Sequence, residues 1–169
     1  MKRILMRIAV VQVILLSSDV APAADYYWTG TGGNNADGNK EWANPGHWSL
    51  DGYTTGTIPA VGPTLGSSAS PYDNIFLKNA GTTYLGGIAA SSGTYQRIQN
   101  LTVDGGDNRI GGRYTTDTPD LRIDGDFTVA AGAQFFTGPY SPNRIDFYGA
   151  FTVGNGSAVM MGNSFIAPE

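Results

Sequence analysis

The chain of 169 residues contains no cysteine, one histidine and only ten lysines and arginines. The absence of thiols excludes disulfides, cysteine-held metals and thiol nucleophiles. A lone histidine, His47, sits between Gly46 and Trp48, and no Gly-x-Ser-x-Gly elbow exists for it to activate. It therefore reads as a packed residue rather than as a catalytic base. Leucine, glutamate and lysine, the good helix formers, are scarce, so long helices are not expected. Basic residues are scattered (Arg97, Arg109, Arg113, Arg122, Arg144) rather than clustered. That pattern argues against nucleic acid and anionic lipid as partners, since both need concentrated positive charge to replace counterions.

Long apolar runs are also missing, with one exception at the start. Lys2, Arg3 and Arg7 precede an apolar stretch from Ile8 to Leu16, interrupted only by Gln12. Ala21-Pro22-Ala23 then presents small residues at the spacing a signal peptidase reads. The stretch is about half of the roughly 20 residues a membrane span requires. Residues 1–24 are thus expected to be a cleavable signal peptide, with Ala24 or Asp25 as the first mature residue. No cysteine follows for lipidation, and no transmembrane segment is expected after cleavage. Seven basic and thirteen acidic residues remain, a mature charge near −6.

What is abundant is glycine, at 24 residues, together with short alternating apolar runs separated by Gly, Asp and Asn. This is the grammar of strands and turns. Three segments, 101–112, 127–138 and 151–162, all fit [Leu/Phe]-Thr-Val-x2-Gly-x5-Gly, at offsets of 26 and then 24 residues. Leu121/Ile145, Ile123/Phe147 and Gly125/Gly149 repeat at the same offset of 24, and a weaker copy occupies 75–87. A fully extended repeat of that length would span about 80 Å, so each repeat must turn several times. Within it Leu101/Val103, Phe127/Val129 and Phe151/Val153 face one side while the threonines between them face the other. Coils stacked on one another would bury a continuous apolar column. The expected fold is all-β: a right-handed parallel β-helix over 73–169 with an aromatic- and glycine-rich N-terminal cap over 25–72. An antiparallel β-sandwich is the alternative, disfavoured because regular repeat spacing is what stacking demands.

The N-terminal zone carries Trp28-Thr29-Gly30-Thr31-Gly32-Gly33, then Glu41-Trp42 and His47-Trp48-Ser49, then Ile58-Pro59, then Asp73-Asn74-Ile75-Phe76-Leu77. This resembles the opening of many bacterial secreted β-helical proteins of the autotransporter-passenger-like type, including those with autotransporter-associated repeats or sorting tags. The resemblance implies a parallel β-helix that is secreted or held at the cell surface, outer-membrane-associated if the chain is part of a longer one. His47 departs from the pattern, which usually has Asn before the second Trp. No barrel, sorting tag or anchoring repeat follows Gly162, which leaves a truncated gene product, a fragment of a longer chain and a stand-alone secreted piece as alternatives.

Two sets of residues are candidate sites. Trp28, Trp42 and Trp48, with Tyr26, Tyr27 and Tyr53, could stack on sugar rings of surface glycans; against this, large aromatics are what a small cap needs for its own core. Asp104 and Asp107 could hold Ca²⁺, although Asp-Gly-Gly-Asp-Asn is also an ordinary turn sequence. Carboxylates do not recur at the repeat offset, Asp104 giving way to Ala130 and Gly154. The functional expectation is an exported, non-enzymatic scaffold for adhesion or extracellular matrix, without catalytic residues. The alternatives are a β-helix polysaccharide lyase or hydrolase, or a carbohydrate-binding module.

Overall fold

The computed structural model describes residues 23–33, 40–54, 56–63, 72–85, 95–111, 120–137, 145–161 and 164–166. Residues 1–22 of the expected signal peptide (1–24), Arg113, Asp117, Arg144 and the closing glycines Gly87, Gly112, Gly138 and Gly162 lie outside them. The described chain is nearly all β. In order the strands are β1 (Asp25–Trp28), β2 (Trp48–Ser49), β3 (Asn74–Lys78), β4 (Gly81–Tyr84), β5 (Tyr95–Ile98), β6 (Leu101–Gly105) and β7 (Asp107–Gly111). Then follow β8 (Asp120–Ile123), β9 (Phe127–Val129), β10 (Gln134–Thr137), β11 (Ile145–Phe147), β12 (Phe151–Val153), β13 (Ala158–Met161) and β14 (Ser164–Ile166). A 3-10 turn, Pro45–His47, precedes β2; Asn44 caps it by accepting the Gly46 N–H on its side chain.

From β3 to β13 each strand pairs with the strand three places along. The result is three sheets, ordered β12-β9-β6-β3-β1-β2, β14-β13-β10-β7-β4 and β11-β8-β5. Every ladder among β3–β13 is parallel. An antiparallel sandwich, the alternative architecture, does not describe this pairing. Among the described residues antiparallel ladders occur only between β1 and β2 and between β13 and β14.

The register places like on like. Ile75, Leu101, Phe127 and Phe151 are successive Cα partners, as are Leu77, Val103, Val129 and Val153. In the third sheet the inward pairs are Leu121 on Gln96 and Ile145 on Leu121, with Ile98, Ile123 and Phe147 as the second column. Ile75, Leu77, Leu101, Val103, Phe127 and Val129 are buried, whereas Thr102 and Thr128 on the opposite pleat are only half-buried. Each buried side chain of this size is worth about 1.5–3 kcal/mol of transfer free energy, and a column can be dry only if the next coil covers it. Phe151, in the last described coil, is 40 % exposed where Phe127 is 0 %.

The corners are built from backbone and amide chemistry. Between the first and second sheets Gly106, Gly132 and Gly156, which fill the first glycine position of the shared Thr-Val-x2-Gly pattern, adopt φ of 65°, 74° and 72°. This left-handed region disfavours any side chain with a Cβ. At the same corner the buried Asn108 accepts the Ala80 N–H at 2.9 Å and donates to Gly105 O at 2.9 Å. Between the third and first sheets runs a ladder of Asx side chains. Asn74 donates to Asp25 and Asn100 donates to Asn74, both at 2.7 Å. Asn100 in turn accepts the Asp126 N–H at 2.7 Å, and Asp126 accepts the Ala150 N–H at 2.9 Å. Backbone groups that a sharp corner would leave without partners are thereby satisfied.

Candidate functional site

The three tryptophans come together, but inward. Trp28, Trp42 and Trp48 are 3 %, 0 % and 1 % exposed. The Trp48 ring meets Tyr26, Trp28 and Trp42 edge to face, with centroids 6.0, 4.9 and 5.5 Å away. Indole N–H groups buried in this way need acceptors. Trp48 Nε1 donates to Trp42 O at 2.8 Å, and Trp42 Nε1 donates to Thr83 Oγ1 at 2.9 Å. The last bond ties residues 40–49 to β4, so these rings sit within the same core as the stacked strands. Their faces are occupied by one another rather than turned to solvent.

His47 belongs to this cluster. It is fully buried and lies against Trp28 at a ring distance of 5.0 Å, and neither ring nitrogen has a hydrogen-bond partner. Burial, with a smaller contribution from Lys40, holds its pKa below the ordinary 6.5. Its carbonyl, by contrast, is well used, accepting the Thr29 N–H at 2.8 Å and the Gly30 N–H at 3.2 Å.

Of the aromatics in the N-terminal zone, Tyr27 and Tyr53 are partly exposed and gather with Phe76 on the outward side of the first sheet. Tyr27 and Phe76 are Cα partners on β1 and β3, and their rings stack at 4.5 Å. Tyr53, from the loop after β2, closes on Tyr27 edge to face at 5.3 Å. Its hydroxyl donates to Asp104 Oδ2, and Lys78 Nζ lies 5.5 Å from its ring. Burial, the bond to Asp104 and the charge of that carboxylate push the Tyr53 hydroxyl well above its usual pKa, so it stays protonated. Asp51 fixes the loop, accepting Ser49 Oγ at 2.7 Å, Thr57 N at 2.8 Å and Thr57 Oγ1 at 3.0 Å. Those bonds hold the Asp51 carboxyl below its usual range. Beyond Phe76 the outward row continues in register through Thr102, Thr128 and Thr152. The surface is thus an aromatic step beside a strip of hydroxyls.

Asp104 and Asp107, the candidate Ca²⁺ ligands, flank the Gly105–Gly106 corner and face different partners. Asp104 accepts from Tyr53, while Asp107 pairs with Arg109 at 3.4 Å. Among the described residues no group of three or more His, Asp or Glu is arranged to hold a metal. A second polar cluster lies on the third sheet. Asp124 accepts Arg97 Nε at 2.9 Å and Arg122 Nε at 2.6 Å, and the two guanidiniums cover the rings of Tyr72 and Tyr148 at 4.4 and 3.8 Å.

Phe76 stands in the Asp73–Leu77 segment without a role of its own, and nothing in the sequence brings Lys78 to Tyr53 or Arg97 and Arg122 to Asp124. Alternation alone carries their signal: Ile75 and Leu77 face the core, so an aromatic or charged residue between or beside them faces outward. Among the described residues no helix is long and apolar enough to cross a membrane. Comparison of the chain with protein-family models, with curated proteins and with solved structures finds no match.

Proposed function

We propose that the chain is an exported, non-enzymatic scaffold: a right-handed parallel β-helix, capped by residues 25–72, that presents its outer faces for adhesion at the cell surface or within an extracellular matrix. The handedness follows the general preference of parallel crossovers. The observation that carries the reading is the pairing of each strand with the strand three places on, at a register of 26 and then 24 residues. Such pairing devotes the inward pleat to stability and leaves the outward pleat free to vary, as a presenting surface requires. The test is to incubate the exported protein with plant and bacterial polysaccharides and with cell surfaces. Retention without release of new sugar ends is expected. Sustained cleavage that is abolished by Asp104→Ala or Asp124→Ala overturns the reading in favour of a lyase or hydrolase.

The wall of Tyr27, Phe76 and Tyr53 supports a more specific second reading, a carbohydrate-binding module. Its sugar platform is these half-exposed rings and not the buried indoles. In calorimetric titration with a glycan panel, Tyr53→Ala should then abolish binding that Trp42→Phe leaves in place.

A further inference from the structure

The first described strand begins beside a buried carboxylate. Asp73 is only 7 % exposed, and its Oδ1 accepts the backbone N–H of Ala24 at 3.1 Å. The carbonyl of Ala24 accepts the Asn74 N–H at 2.8 Å, and Asp25 is the Cα partner of Asn74, so the position of the Ala24 nitrogen is set by the β1–β3 ladder. Ala24 itself packs against the core. β1 lies between β3 and β2 in the first sheet and therefore joins the aromatic cap to the first coil.

This geometry meets the chemistry of the leader. A signal peptidase reads small residues one and three places before the cut. Ala21 and Ala23 satisfy that rule for the bond Ala23–Ala24, whereas a cut one residue later would place Pro22 at the outer of the two positions. Hydrolysis at Ala23–Ala24 consumes one water. It leaves a carboxylate on Ala23 and an amine on Ala24, which is largely protonated near neutral pH because α-amino groups titrate at about 7.7–8.0. In the uncleaved chain the same nitrogen is a neutral amide.

We propose that the export endopeptidase cuts Ala23–Ala24 and that the Ala24 ammonium so created pairs with the buried Asp73 carboxylate, locking the cap onto the first coil only in the mature protein. The inference rests on the reading of the chain as exported. A charge-assisted bond is roughly twice as strong as a neutral one, and a buried carboxylate gains most from it. The uncleaved leader keeps the neutral contact, so the cap of the precursor is held less tightly while the chain is still to be translocated.

Two measurements test the proposal. N-terminal sequencing and intact mass of the exported protein should give Ala24 as the first residue. A mature start at Asp25 or beyond overturns the lock while leaving export intact; a chain retained in the cytoplasm with Met1–Arg7 still attached overturns the export reading itself. In denaturant titration, the chain starting at Ala24 is then compared with one that retains Ala23, which moves the charge one residue away but keeps the amide. The unfolding equilibrium constant of the longer chain should be larger by about fivefold to tenfold, and the difference should vanish in Asp73→Asn. Equal stability of the two wild-type chains overturns the lock whether or not Asp73→Asn folds.

Discussion

At the scale of the residue, His47 is the most expensive side chain in the cap. An imidazole with both nitrogens buried and unpartnered forgoes hydrogen bonds that water would provide, at about 1–3 kcal/mol for each group. The compensation visible around it is its contact with Trp28 and the two backbone bonds that its carbonyl accepts from Thr29 and Gly30. Because burial lowers its pKa in the folded state, the unfolded chain binds the proton more readily. The sign follows: stability is fully present above about pH 6.5 and is lost as pH falls below that value, until the folded-state pKa is reached. The slope from this group cannot exceed about 1.4 kcal/mol per pH unit. Urea midpoints measured from pH 7.5 to 5.0 should therefore decline, and His47→Phe, which keeps a ring against Trp28, should flatten that part of the profile. An unchanged slope in the variant would assign the decline to other groups.

At the scale of the element, the corners decide which residues are irreplaceable. Gly132 has a φ of 74° and open space where a Cβ would go, so Gly132→Ala meets backbone strain alone, about 1–2 kcal/mol. Gly106 has nearly the same φ, but its Cβ would overlap the Asn79 side chain across the corner. Gly106→Ala should therefore cost more than Gly132→Ala by chemical denaturation; equal costs would show that Asn79 moves aside freely. These glycines were legible in the sequence, because a turn recurring at fixed offset after Thr-Val names its own strained position. The Asx ladder through Asp25, Asn74, Asn100 and Asp126 was not. Asn74, Asn100 and Asp126 do recur at an offset of 26, but Asn and Asp are ordinary turn residues, and only the fold shows that the first two bonds join side chains while the next two capture backbone N–H groups.

At the scale of the whole molecule, β11 and β12 pair with a strand on one side only among the described residues, whereas β13 lies between β10 and β14. Phe127 is enclosed by Phe135, Phe147 and Phe151 at 5.1–5.2 Å, while Phe151 touches Phe127 and Phe147 and is open beyond them. Phe127→Ala should cost about 3–5 kcal/mol, as for a fully enclosed aromatic, and Phe151→Ala roughly half as much. Hydrogen exchange should show the same gradient, with β12 amides exchanging faster than those of β6. If the two substitutions cost the same, a further layer covers Phe151 in solution.

The sequence by itself determined the strand character of the chain, its inward and outward pleats and its corner glycines. These are local properties: alternation fixes the face, and glycine adopts the left-handed turn with the least strain. It also paired aromatics with the N-terminal zone but could not say which way they point. Tertiary structure alone decided that Trp28, Trp42 and Trp48 turn into the core while Tyr27 and Tyr53 gather on the outward-facing Phe76. Orientation there depends on contacts across more than twenty residues, such as Trp42 to Thr83 and Tyr53 to Asp104, and composition holds no record of such contacts. For the same reason Asp104 and Asp107, neighbours in the chain, face different partners: a sharp corner at Gly106 stands between them.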